Sequence, residues 1–124
     1  MKKHKKVVLI DDDHGVLDLL EVYLYGEYEI ITAVNGFEGL KKADEFLPDF
    51  IITDIMMPVM DGIKFLNTLR KRSETATIPV IAITSFNKMM NEKSLLNMGF
   101  KGVIFKPLSR EAVLEVIEDV FSKQ

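Results

Sequence analysis

Cysteine is absent from the chain, and proline occurs four times in 124 residues. Without cysteine there is no disulfide framework and no thiolate metal site, so the fold must rest on packing, and a reducing compartment is permitted. No apolar run approaches the ~20 residues needed to cross a bilayer, which points to a soluble, cytoplasmic chain without membrane contact. Met1 to Lys6 carries four lysines, but the apolar stretch that follows runs only from Val7 to Ile10 before three aspartates. No secretory h-region fits there, and a solvated basic terminus is the expectation. There is no glycine-rich dinucleotide fingerprint or Walker loop, which argues against nucleotide binding. Charge of one sign is not in excess: the formal net charge of −3 argues neither for nor against a nucleic-acid partner, and none is expected to bind directly. Internal repeats, low-complexity stretches and linkers are also missing, so residues 1–124 are expected to form one domain.

What the chain does contain is ordinary for a folded protein: 48% apolar and 28% charged residues. Short apolar, β-branched runs recur at Val7 to Ile10, Tyr28 to Ala33, Phe50 to Thr53, Val80 to Ile83 and Val103 to Phe105. Each reads as a strand buried on both faces, because a strand with one wet face alternates polar and apolar residues. Helical period fills the gaps. Val16, Leu19, Leu20, Tyr23 and Leu24 make one stripe, and Phe37, Leu40, Ala43 and Leu47 a second. Ile63, Leu66 and Leu69 make the third, and Val113, Val116, Ile117 and Val120 the fifth. The fourth, from about Lys88 to Met98, is the least regular. Asn35 with Gly36, Pro48, Pro58 with Gly62, Pro79, Gly99 with Gly102, and Pro107 fall between the runs as turn formers, and Ser109 caps the last helix. Alternating strands and helices predict an α/β fold with a mostly parallel five-stranded sheet covered on both sides by five helices.

In such a sheet the functional crevice lies beyond the carboxyl ends of the strands. The residues there are Asp11 and Asp12 after the first run, Asp54 after the third, Thr84 after the fourth and Lys106 after the fifth. Three carboxylates at one edge repel by roughly a kcal/mol per pair in water and by more in a drier site, so a cation belongs among them. Oxygen ligands without histidine or cysteine favour a hard ion, and an open site suits Mg2+. Lys106 adds a fixed positive charge and Thr84 a hydroxyl donor, a combination suited to a phosphoryl group, with the Asp54 carboxylate as the attacking group. Asp13 reads as a helix cap, and His4 and His14 as solvated histidines. Met89, Met90, Leu95, Leu96 and Met98 offer an adaptable surface on the fourth helix, with core packing the better expectation for most of them.

Four motifs carry a resemblance over essentially the whole chain: Leu9-Ile10-Asp11-Asp12-Asp13, Thr53-Asp54-Ile55-Met56-Met57-Pro58-Val59-Met60-Asp61-Gly62, Ile83-Thr84-Ser85 and Phe105-Lys106-Pro107. In this order they resemble the receiver domain of response regulators, the CheY-like family. The resemblance implies a flavodoxin-like, doubly wound sheet of order 2-1-3-4-5. It implies that Asp54 is the phosphoacceptor, and that Asp12, Asp54 and the Met56 carbonyl bind Mg2+ directly, with Asp11 acting through metal-bound water. Thr84 and Lys106 contact the phosphoryl oxygens, and the Lys106–Pro107 bond is cis. The donor it implies is a phosphohistidine on a sensor histidine kinase or a phosphotransfer protein. The reader of the switch is a downstream effector or a fused output domain, and a homodimer through the face of the fourth helix, fifth strand and fifth helix is open to it.

The pattern departs from the family in places. Val103 stands where an aromatic ring often swings inward, and Phe100 where a small residue is common. Met56 and Phe86 fill two positions that commonly tune dephosphorylation, and both are apolar, which predicts exclusion of attacking water and a long phosphorylated lifetime. The function expected is therefore a phosphoaccepting signalling switch of a two-component phosphorelay, not an enzyme with turnover. The alternative is a degenerate receiver that works as a phosphorylation-independent docking or dimerisation module; the complete acidic set and Lys106 weigh against it. An aspartate-nucleophile phosphatase of the haloacid-dehalogenase kind wants a second acid where Met56 stands.

Overall fold

The computed structural model describes residues 5–85 and 91–122. Strands and helices alternate along the chain: β1 (Lys5–Ile10), α1 (His14–Leu24), β2 (Tyr28–Ala33), α2 (Gly36–Phe46), β3 (Phe50–Asp54), α3 (Gly62–Arg70), β4 (Val80–Thr84), α4 (Glu92–Met98), β5 (Gly102–Phe105) and α5 (Arg110–Ser122). The strands pair in parallel in the order β2-β1-β3-β4-β5, the doubly wound arrangement expected.

The continuous apolar runs are explained by the two layers they serve. Val8, Ile10, Ile51, Val80 and Ala82 face a core shared with α2, α3 and α4, through Leu40, Phe65, Leu69 and Leu95. Val7, Leu9, Phe50, Ile52, Ile81 and Ile83 face the other side, where Leu17, Leu20 and Leu24 of α1 meet Val113, Ile117 and Val120 of α5. Alternate side chains of each central strand thus enter opposite cores, and burying one such side chain stabilises by about 1.5–3 kcal/mol. The outer strand β2 is only partly buried over most of its length, so the expectation of burial on both faces fails there. An edge strand has a neighbour on one side only.

Helix orientation differs from the expected stripes at several positions. On α1, Leu17 takes the buried place, while Leu19 is exposed and Val16 and Tyr23 are half-buried. On α2, Phe37 and Leu47 are exposed, and Gly36 and Gly39 are buried instead. Phe65 joins Leu66 and Leu69 as the buried face of α3, with Ile63 only half-buried. On α4, Leu95 packs in the core as expected, whereas Leu96 and Met98 are exposed; Met89 and Met90 lie outside the described residues. The described part of α4 starts after an Asn91 cap, later than the expected Lys88, which is itself outside the described residues.

Capping side chains set most helix starts: Asp13, Asn35, Asp61 and Asn91 accept backbone N–H bonds within the first turn, and Ser109 accepts from Ala112. All five caps stand on connections leaving the carboxyl edge of the sheet, the edge that carries the acids and the lysine.

Candidate functional site

The carboxyl edge brings the expected residues together. Asp11 directly follows β1, where its N–H donates to Ala33 across the sheet, and Asp54 is the last residue of β3, paired with Ile83. Carboxylate oxygens of Asp11, Asp12 and Asp54 lie within 4.8 Å of one another. Lys106 leaves β5 with its N–H bonded to the Thr84 carbonyl at 2.9 Å, and its Nζ stands 3.9 Å from Asp11 Oδ2 and 3.7 Å from Asp54 Oδ2. Thr84 ends β4 beside Phe105 and is buried, its hydroxyl donating to the Ser85 carbonyl at 3.3 Å. The Lys106–Pro107 bond is cis, as the resemblance implies. Phe105 is half-buried and Pro107 exposed, leaving the lysine side chain 29% exposed at the rim.

The three acids are not equivalent. Asp12 is exposed, Asp54 is 4% exposed and Asp11 is fully buried. The Asp13 N–H donates to Asp11 Oδ1 at 2.9 Å, while Asp11 Oδ2 is buried with no hydrogen-bond partner among the described residues. Burial, then the negative charge of Asp54, pushes the Asp11 carboxyl up to about 7, although the Asp13 N–H and Lys106 oppose this. Burial also raises the Asp54 carboxyl, with Lys106 and the N–H groups of Met56 and Ile55 pulling it back. A buried carboxylate oxygen without a donor, beside two more carboxylates, is the environment a hard cation relieves, and the all-oxygen donor set fits Mg2+.

The loop after β3 closes over this edge. The Met56 N–H reaches Asp54 Oδ1 at 3.4 Å, while Met56 as a whole is 70% exposed. Met57 and Met60 are buried and anchor the loop. The Gly62 N–H donates to the Ile55 carbonyl at 2.9 Å, so close that a Cβ on residue 62 would stand 2.5 Å from the Asp54 carbonyl oxygen. Between these anchors Val59 is 81% exposed with φ 72°. That geometry, and the Asp13 amide on Asp11, have no signal in the sequence; the glycine at 62 is legible there only as a turn former. Asp13 is the helix cap expected, accepting from the Gly15 N–H, and His14 is exposed. His4 and Phe86 lie outside the described residues. Phe100 is buried in the core with Val103.

A doubly wound parallel sheet with three acids and a lysine at its carboxyl edge defines a class of α/β domains organised around an anionic pocket. A family model described as the response regulator receiver domain matches residues 7–118, and the chain belongs to that family. It is 34% identical to the chemotaxis protein CheY of Halobacterium salinarum over 95% of this chain and 98% of that one. It is 32% identical over 111 residues to the alkaline phosphatase synthesis transcriptional regulatory protein PhoP of Bacillus subtilis. The chain spans 45% of that regulator and 55% of the probable transcriptional regulator ycf29 of Porphyra purpurea. Among solved structures, the chemotaxis response regulator CheY4 of Vibrio cholerae superimposes with a TM-score of 0.87 at 29% identity, over 95% of this chain and 99% of that one. Receiver domains are signalling switches that meet histidine kinases or phosphotransfer proteins and act on output domains. No helix among the described residues is long and apolar enough to cross a membrane.

Proposed function

We propose that residues 1–124 form one cytoplasmic receiver unit that accepts a phosphoryl group on Asp54 and releases it again as its signal ends. The observation that carries this reading is the Lys106 amine set 3.9 Å and 3.7 Å from two buried carboxylates, with a third carboxylate close by. Of the two acids beside the lysine, Asp54 is the nucleophile, because Asp11 is sealed from solvent while Asp54 keeps 4% of its surface open.

An Asp54 oxygen attacks phosphorus in line, the P–N bond of a partner's phosphohistidine breaks, and the imidazole departs with the electron pair and takes up a proton. Lys106 balances charge on the phosphoryl oxygens, and the Thr84 hydroxyl turns from the Ser85 carbonyl to donate to one of them. Asp12, Asp54 and the Met56 carbonyl would hold Mg2+, with Asp11 acting through water, and the ion would supply further neutralisation of those oxygens. The apolar Met56 side chain keeps bulk water from the acyl phosphate. Thr84 and Lys106 are linked through the Lys106 N–H, so movement of the threonine reaches β5 and the face made by α4, β5 and α5. That face is the output surface, read by an effector, a fused output domain or a second copy.

Incubation with acetyl phosphate and Mg2+, followed by intact-mass measurement, tests the assignment. Wild type should gain one phosphoryl group and Asp54→Asn none. A wild-type mass that never changes would favour the phosphorylation-independent docking module.

A further inference from the structure

With no cysteine in the chain, methionine sulfur is the group that meets peroxide, and its susceptibility follows access. Among the described methionines the ranking is steep: Met60 is 4% exposed, Met57 7%, Met98 42% and Met56 70%. The most exposed of these four methionines is therefore the one whose backbone N–H bonds to Asp54 Oδ1. We propose that Met56 is a modification site for hydroperoxides, and that its sulfoxide shortens the life of the phosphorylated form.

A sulfur lone pair attacks one oxygen of hydrogen peroxide, forming the S–O bond as the O–O bond breaks. The expelled hydroxide gains a proton and leaves as water. Sulfur loses two electrons and the peroxide gains them. The product replaces an apolar, flexible chain by a polar one whose oxygen accepts hydrogen bonds. Beside Asp54 that oxygen draws in and orients water on the flank that the thioether kept apolar. It is no general base, so the gain stays below the roughly hundredfold such a base supplies, about three- to tenfold in the decay rate. Methionine sulfoxide reductases reverse the change, making the site a reversible oxidant input to the switch. The effect on lifetime rests on Asp54 being the phosphoacceptor; the selectivity of oxidation does not.

The test treats the whole chain with graded hydrogen peroxide, maps sulfoxide by peptide mass, and follows decay of the phosphorylated protein by intact mass. Met56 should oxidise ahead of Met57, Met60 and Met98, and decay should accelerate in step with its oxidation. Reductase treatment should restore the original rate. Met56→Leu, compared with its own untreated form, should not respond to peroxide, whereas Met98→Leu should respond as wild type does. Oxidation of Met57, Met60 or Met98 first, an unchanged decay rate in protein fully oxidised at Met56, or an equal response in Met56→Leu each overturns the proposal. A protein that takes no phosphoryl group before oxidation instead sinks the proposed function, and with it the consequence for lifetime.

Discussion

Val59 combines a β-branched side chain, φ of 72° and 81% exposure, a conjunction that costs free energy with no packing in return. The Met60 N–H bonded to the Pro58 carbonyl at 2.8 Å closes a tight three-residue turn around it. Buried Met57 and Met60 on either side hold that turn. Asparagine tolerates the left-handed region far better than valine, so Val59→Asn should stabilise the protein by about 1 kcal/mol. Urea unfolding measures this, and a midpoint at or below wild type would show that the turn is not strained. The site itself was legible residue by residue, because a charged group directly after an apolar β run has few structural reasons to be there, and Asp11, Asp54 and Lys106 all stand so. The left-handed residue was not. Nothing in Pro58-Val59-Met60 marks the central position, and a β-branched residue argues against it.

At the scale of elements, the order of strands and helices could be read from apolar runs and turn residues, while the rotation of each helix could not. Helix α1 carries Val16, Leu17, Leu19, Leu20, Val22, Tyr23 and Leu24, apolar nearly all round, so period alone does not choose between Leu17 and Leu19 as the inward residue. The choice is made by packing against β1, which precedes the helix, and against α5, which is remote in sequence. On α2 the side turned to the sheet is marked by Gly39, where a Cβ would run into Ile10 and Phe65, and Phe37 is thereby left outside. A glycine used for close approach looks, in sequence, like a turn. The same logic governs β5 and α5. A Cβ on Gly102 would stand 2.6 Å from Val116 Cγ1, so Gly102→Ala should push the helix off the strand and cost about 1–3 kcal/mol. Adding Val116→Ala should restore part of that loss by removing the obstructing methyls, which a double-mutant cycle in urea resolves. Additive losses would mean that the two residues do not press on one another.

The whole molecule carries a conflict between folding and its anionic pocket. An unfolded aspartate titrates near 3.8, but folding raises Asp11 to about 7 and shifts Asp54 in the same direction. Between those values the folded chain binds more protons than the unfolded one, so without a divalent cation stability is greatest near the acid end of that range. It declines as pH rises toward 7 and levels off above it. For Asp11 the loss is on the order of 4 kcal/mol at full ionisation. A cation that takes the proton's place reverses the trend, since it binds the ionised pocket and stabilises in proportion to the logarithm of its concentration over Kd. Thermal unfolding in EDTA should therefore show a lower midpoint at pH 8 than at pH 5.5, and millimolar Mg2+ should raise it far more at pH 8. Asp11→Asn should flatten the pH dependence and weaken the response to Mg2+, because it removes both the desolvated charge and one of the groups placed to meet the ion. A Mg2+ response equal at both pH values, or unchanged in Asp11→Asn, would mean that the ion stabilises the chain somewhere other than among these acids.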